Sequence, residues 1–219
     1  MANKIPLVIA TGNPGKIIEI QELLTGFPIE IKSLDDFGAI PDVVEDGETF
    51  DENAYKKASF TARILGLPAL ADDSGLMVEA LGGAPGVLSA RYAGAGATDE
   101  QRVAKLLKEM QGHTHRHATF ECVISIAVPS GPALTYEARC EGLIAEQPAG
   151  RKGFGYDPIF FYPPLNKTFG QMTIAEKGEV SHRGKALKQL RQEFDKVLIW
   201  IHRHMPLEEQ FLYHQERKE

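Results

Sequence analysis

The spacing of apolar positions changes along the chain, and each change marks an element. Residues 5–11 form a short apolar run that reads as a buried strand. From residue 13 the period lengthens. Ile17, Ile20 and Leu24 recur at helical spacing, Asn13 is a good N-cap, Pro14 suits the first helical position, and Gly26 with Pro28 supplies the stop. A second strand is expected over 29–34. After the acidic stretch PDVVEDGE, Thr49-x-x-Glu52 has the form of a capping box, and Phe50, Ala54, Ala58 and Ala62 make one face of a helix over about 49–65. PALADDSG reads as a short strand running into a turn and LMVEAL as a further strand. GGAPG reads as a loop with backbone positions that glycine adopts at low cost.

Thr98 caps a third helix over 98–111. Residues 117–129 and 134–146 are rich in strand formers and joined by PSGPA, which predicts a long antiparallel hairpin. PAGRKGFGYDPIFFYPP reads as an aromatic, glycine-rich loop region. Leu187, Leu190, Phe194, Val197 and Ile201 form the apolar stripe of a last helix starting near Ser181, and the tail HQERKE reads as frayed. No internal repeat stands out. Strands and helices alternate early and a hairpin comes later, so the expectation is an α/β protein built on a mixed sheet.

Composition acts mainly by exclusion. A chain of 219 residues with 43% hydrophobic and 25% charged residues makes one large domain, or two small lobes around a shared core. A net charge of −6 and a pI of about 5.7 argue against nucleic acid as a partner, since that affinity needs a basic footprint. A small anion remains compatible, because a few lysines or a bound metal reverse the field locally. No apolar run is long enough to span a bilayer, and residues 5–11 behind the lone Lys4 are too short for a signal-peptide core. Cys122 and Cys140 lack metal-ligand spacing and read as buried free thiols. The expectation is a cytoplasmic protein with neither a membrane nor a nucleic-acid partner.

The segment ATGNPGKI at 10–17 is close to a phosphate-binding P-loop. Ala10 stands where that loop needs its first glycine, and Ile17 where it needs the hydroxyl that binds Mg²⁺, so a P-loop kinase or ATPase is disfavoured. The helix start still offers free N–H groups, Gly12 and Gly15 allow close approach of an anion, and Lys16 adds a charge. Phosphate binding and a capped helix with an exposed lysine both remain open. Glu45, Asp46 and Glu48 cluster in one loop and Asp72 and Asp73 stand side by side. These are either a shared Mg²⁺ site or, for the loop acids, solvated turn residues. Around KGFGYDPIFF, Phe154 or Tyr156 could stack on a planar base and Asp157 could accept its N–H groups; the alternative is a core aromatic corner. His182 and Arg183 sit in the first turn of a helix, where cations are unfavourable. They either serve an external acceptor or are solvated surface charges. His113, His115 and His117 have no acid or cysteine at ligand spacing and read as polar loop residues.

Together these clusters suggest a nucleoside polyphosphate site. The segments ATGNPGK, EDGETFDENAYKKA, ALADDSGLMVEALGGAPGVLSARYAG, GFGYDPIFF and SHRGKAL stand in the order of the inosine/xanthosine triphosphate pyrophosphatase family, which the chain resembles from about Leu7 to about Leu190. Tyr156 stands where some members carry Trp, and the chain extends past about Val197. The resemblance implies a long central mixed β-sheet flanked by helices. It implies two lobes with an intervening substrate cleft over residues 1–205, and a C-terminal extension over 206–219. It implies a homodimer that uses Mg²⁺ to hydrolyse ITP, dITP or XTP to the monophosphate and pyrophosphate, cleansing the nucleotide pool. Carried onto this sequence, Thr11, Gly12, Asn13, Pro14, Gly15 and Lys16 would hold the triphosphate, with Lys57 adding a second charge. Glu45 and Asp73 would hold Mg²⁺ with Asp72 assisting, and Asp73 would also orient or deprotonate the attacking water. Ser74 would contact substrate, Phe154 would stack on the base, and Gly155, Tyr156 and Asp157 would shape its pocket. Lys177, His182 and Arg183 would complete that pocket, the last two reading the 6-oxo edge. The alternative is a non-catalytic purine nucleotide sensor using the same pocket. The acidic pair and Lys57 speak against it, since a sensor need not activate water.

Overall fold

The computed structural model describes residues 4–205; the expected extension over 206–219 lies outside them. Seven strands form one mixed sheet in the order β2-β1-β3-β4-β5-β6-β7. They are β1 (Ile5–Ile9), β2 (Ile29–Ser33), β3 (Ala69–Val78), β4 (His117–Ala127), β5 (Ala133–Ile144), β6 (Phe160–Tyr162) and β7 (Lys167–Thr168). The helices are α1 (Pro14–Leu23), α2 (Phe50–Leu65), α3 (Asp99–Glu109), α4 (Ile174–Val180) and α5 (His182–His204). β1 runs parallel to both β2 and β3, while β6 is antiparallel to β5 and β7. The far ends of the hairpin meet where Ile144 N donates to Arg116 O at 2.9 Å.

The residues fall into two compact units. Among the described residues the first comprises 4–73, 123–136 and 186–205, and the second 74–122 and 137–185. In the first, α2 lays Ala58 and Ala62 against Val8, Ala10, Ala69, Ala71 and Ala127. Side chains no larger than a methyl group let the helix axis lie close over the strands. The stripe Leu187, Leu190, Phe194, Val197 and Ile201 of α5 is buried as expected, each side chain contributing roughly 1.5–3 kcal/mol. Phe194 packs on Phe27 with ring centroids 4.6 Å apart. The second unit has its own core, in which Leu76, Leu106, Phe120, Phe160 and Phe169 take part.

The caps are where the sequence places them. Asn13 Oδ1 accepts from Gly15 N at 2.9 Å, Thr49 and Thr98 cap α2 and α3, and Gly66 closes α2 in the left-handed region at φ 68°. One detail differs. Glu52 reaches back to Glu48 N at 2.7 Å rather than to the cap residue itself, so the expected box at Thr49 spans one residue more. A larger difference concerns ADDSG, which is no turn. β3 runs unbroken through Asp72, Asp73, Ser74 and Gly75, and it is buried along most of its length. A strand covered on both faces takes its conformation from its neighbours, which override a turn-like composition. β6, β7 and α4 were not anticipated. Cys122 and Cys140 are buried thiols outside any disulfide, and burial pushes the Cys140 thiol up to about 11.

Candidate active site

The first unit gathers its charges through register. Parallel pairing of Ile9 with Leu70 brings the residues after β1 alongside those after Leu70, and Ala10 N donates to Leu70 O at 2.7 Å. Thr11 to Asn13 therefore turn beside Asp72, and α1 starts there with Lys16 in its first turn. Lys16 pairs with the Asp72 carboxylate, whose side chain is fully buried, and approaches Asp72 O at 3.4 Å. α2 delivers a second lysine, Lys57, next to the small Ala58. Lys57 Nζ lies 2.7 Å from Asp73 Oδ1, 3.0 Å from Asp72 O and 3.6 Å from Glu45 Oε2. Burial holds the Asp73 carboxyl above the ordinary carboxylate range. Lys57 and then Lys16 pull it back down, and Glu45 pushes it up.

The α1 cap changes one expectation about phosphate contacts. Gly15 N and Lys16 N already donate to Asn13 Oδ1, at 2.9 and 3.3 Å, and Asn13 N donates to Thr11 Oγ1 at 3.2 Å. Gly12 is different: it is exposed, and a Cβ built there meets nothing within 4 Å. Its lack of a side chain answers no steric need of the fold.

The second unit holds the ring side of the predicted site. Phe154 is half-buried, with Lys177 Nζ 4.6 Å and Arg183 Cζ 5.5 Å from its ring centroid. Asp157 organises the loop: its Oδ2 accepts from Phe154 N at 2.9 Å and from Lys177 Nζ at 2.7 Å. Gly153, at φ 77°, leaves that carboxylate the space any Cβ would take. Tyr156 is buried and its hydroxyl donates to Ser89 O at 2.9 Å, so of the two candidate stacking rings it belongs to the core.

His182 and Arg183 are 3% and 2% exposed, which removes the reading as solvated surface charges. They point inward because Ser181 Oγ accepts from Gly184 N at 3.0 Å, starting α5 there, and because Gly184 packs directly on the Gly178 carbonyl of α4. Arg183 Nη2 donates to Ser74 Oγ at 2.8 Å, and the His182 ring stacks on Phe120 at 4.5 Å and 7°.

Two supporting residues escaped the sequence reading. Asn53 brackets Gly47 with Oδ1 on its N–H at 2.8 Å and Nδ2 on its carbonyl at 3.4 Å, which anchors the loop carrying Glu45. The available signal was an amide on the buried stripe of α2. Asp99 Oδ2 accepts from Gly155 N at 2.7 Å and so holds the Phe154 loop; a first-turn acid on α3 carries no such signal.

Comparison with known proteins identifies the family. The family model described as the Ham1 family matches residues 7–193. A dITP/XTP pyrophosphatase of Syntrophobacter fumaroxidans is 63% identical over 196 residues, covering 90% of this chain and 84% of that protein. One of Desulfotalea psychrophila is 56% identical, covering 89% and 87% respectively. The solved structure of a HAM1 protein from Coxiella burnetii superposes with a TM-score of 0.82 at 43% identity, over 88% of this chain and 99% of that one. With a family model spanning most of its length and relatives this similar, the chain belongs to the Ham1 family.

Proposed function

We infer that this chain hydrolyses dITP, XTP and ITP to the nucleoside monophosphate and pyrophosphate. The observation that carries this is the convergence of Lys16 and Lys57 on the adjacent acids Asp72 and Asp73, with Glu45 on the other side of the Lys57 contact. Two lysines from different helices at one strand are what a chain of phosphates requires. A carboxylate among them with raised basicity is what water activation requires.

Glu45 and Asp73 would hold Mg²⁺, with Asp72 assisting. The donor set fits a hard cation: both carboxylates already face one positive charge, the Lys57 ammonium, at 3.6 and 2.7 Å. When bound, Mg²⁺ would neutralise phosphate charge and ease departure of pyrophosphate. Thr11 to Lys16 and Lys57 would bind and orient the triphosphate. Asp73 would take a proton from the attacking water, whose oxygen bonds to the α-phosphorus as the bridging α–β oxygen bond breaks and pyrophosphate leaves. Phe154 would stack on the base, Asp157 and Lys177 would fix that ring, and Ser74 would contact substrate while holding Arg183. His182 and Arg183 would donate to the purine 6-oxo group. Facing an adenine amino group, each such donor is left unpaired at a cost of about 1–3 kcal/mol.

The same reading includes a homodimer acting in the cytoplasm, which light scattering on the purified chain tests for assembly. Incubation with ITP, dITP, XTP, GTP and ATP in Mg²⁺, with products identified, tests the activity. Pyrophosphate released from the first three and little from ATP is the expected result. Binding without release would instead indicate the sensor.

A further inference from the structure

Outside the residues already assigned, the fold assembles a second set of ligand-type side chains. Glu79, His115 and His117 each offer a donor atom, and these atoms lie within 4.8 Å of one another at the surface of the second unit. The sequence hides this set, because Glu79 stands 36 residues before His115. The fold assembles it because Glu79 directly follows β3, His117 opens β4, and these two strands are neighbours in the sheet. His115 lies two residues before the start of β4 at His117, and the two rings stack with centroids 4.7 Å apart. His115 Nε2 already lies 2.7 Å from Glu79 Oε2. Arg116, between the histidines, is turned away: its Nε donates to Ile144 O at 2.5 Å and its Nη2 to Ala145 O at 3.0 Å, so its charge is kept off the cluster.

We propose that Glu79, His115 and His117 form a site for a divalent transition-metal ion of the Zn²⁺ type. Two imidazoles and a carboxylate bind Zn²⁺ with a fourth position left to water. Mg²⁺, which takes oxygen ligands, is a poor match for this set and a good one for Glu45 and Asp73. A tetrahedral ion with bonds near 2.05 Å needs donors about 3.3 Å apart. The side chains of His115 and Glu79 are 55% and 62% exposed, and small rotations of such exposed side chains supply that geometry. The ion would tie the exit of β3 to the entry of β4, closing that end of the second unit.

The test uses the full chain stripped with chelator and returned to excess Mg²⁺, so that the carboxylate-rich residues do not compete for the probe. Calorimetric titration with Zn²⁺ should show binding that raises Tm. His117→Ala, His115→Ala and Glu79→Gln should each weaken that binding at least about tenfold, since loss of a mere outer-shell partner already costs 10–100-fold. Co²⁺ in place of Zn²⁺ should give visible absorption bands that disappear in the same variants. Pyrophosphate release in Mg²⁺ alone should be unchanged in all three. Absence of Zn²⁺ binding under these conditions, or equal binding and equal Tm shift in the His115→Ala/His117→Ala double variant, overturns the proposal and leaves only a surface ion pair.

Discussion

Asp73 has two opposed influences on it, and burial wins. Its carboxyl is held above the usual range although Lys57 and Lys16 both favour the charged form. For a carboxyl raised in the fold, the stability contributed by its neutral form is fully present below the unfolded value near 3.8. That contribution is lost as pH rises through the folded value. Above that range a charge on Asp73 is a cost to the fold relative to its neutral form. Asp73→Asn should abolish turnover while leaving the urea midpoint at pH 7 unchanged or higher; retained activity would remove Asp73 from the chemistry. Gly12 makes the complementary case. A Cβ there has open space, so Gly12→Ala should leave stability within about 0.5 kcal/mol of the parent. The same methyl group would stand where the triphosphate is proposed to lie, so KM for dITP should rise severalfold with kcat less affected. A stability loss with an unchanged KM would assign Gly12 to the fold instead.

Elements carry these residues, and two junctions show how. α5 begins against α4 with Gly184 on the Gly178 carbonyl. In an open helix Gly184→Ala would gain about 1 kcal/mol, but here the new methyl meets backbone that cannot swing aside, and such overpacking costs about 1–3 kcal/mol. The variant should lower the urea midpoint and reduce discrimination of ITP over ATP, because His182 and Arg183 are displaced with the helix start. α4 in turn is capped by charge. Glu176 pairs with Lys167 at 2.7 Å and accepts from Thr173 N at 2.8 Å; Lys167 first and the Thr173 amide second hold its carboxyl down at about 2. That contribution is present above the unfolded value of 4.5 and is lost as pH falls towards 2, so the Thr173 amide shift in NMR should titrate well below 4.5. What could be foreseen divides along the same lines. α1, α2, α3 and α5 were legible because caps and periodic stripes are local signals. β3 was read as two strands separated by a turn, because DDSG has turn composition and its extension depends on flanking strands and on lysines from α1 and α2. β6, β7 and α4, at three, two and seven residues, are too short for any period to show. The site motifs were legible as sequence patterns, whereas Asn53 and Asp99 act through backbone groups 6 and 56 positions away.

At the scale of the molecule, the boundary between the two units crosses the chain at 73/74, 122/123, 136/137 and 185/186. Every crossing falls inside a strand or helix: β3, β4, β5 and α5 respectively. Neither unit can be excised without cutting hydrogen-bonded elements, and loss of order in one strips part of those elements from the other. Separate cores therefore do not imply separate unfolding. The chain should melt in one transition, with calorimetric and van't Hoff enthalpies equal. The single tryptophan makes this testable from within. Trp200 belongs to the first unit, while Gly184 belongs to the second. If the units share one transition, Gly184→Ala should lower the Tm read by Trp200 fluorescence by as much as the Tm read by far-UV circular dichroism. A Trp200 transition left at the parent temperature would mean that the units unfold independently, and the shared strands would then serve only to connect them.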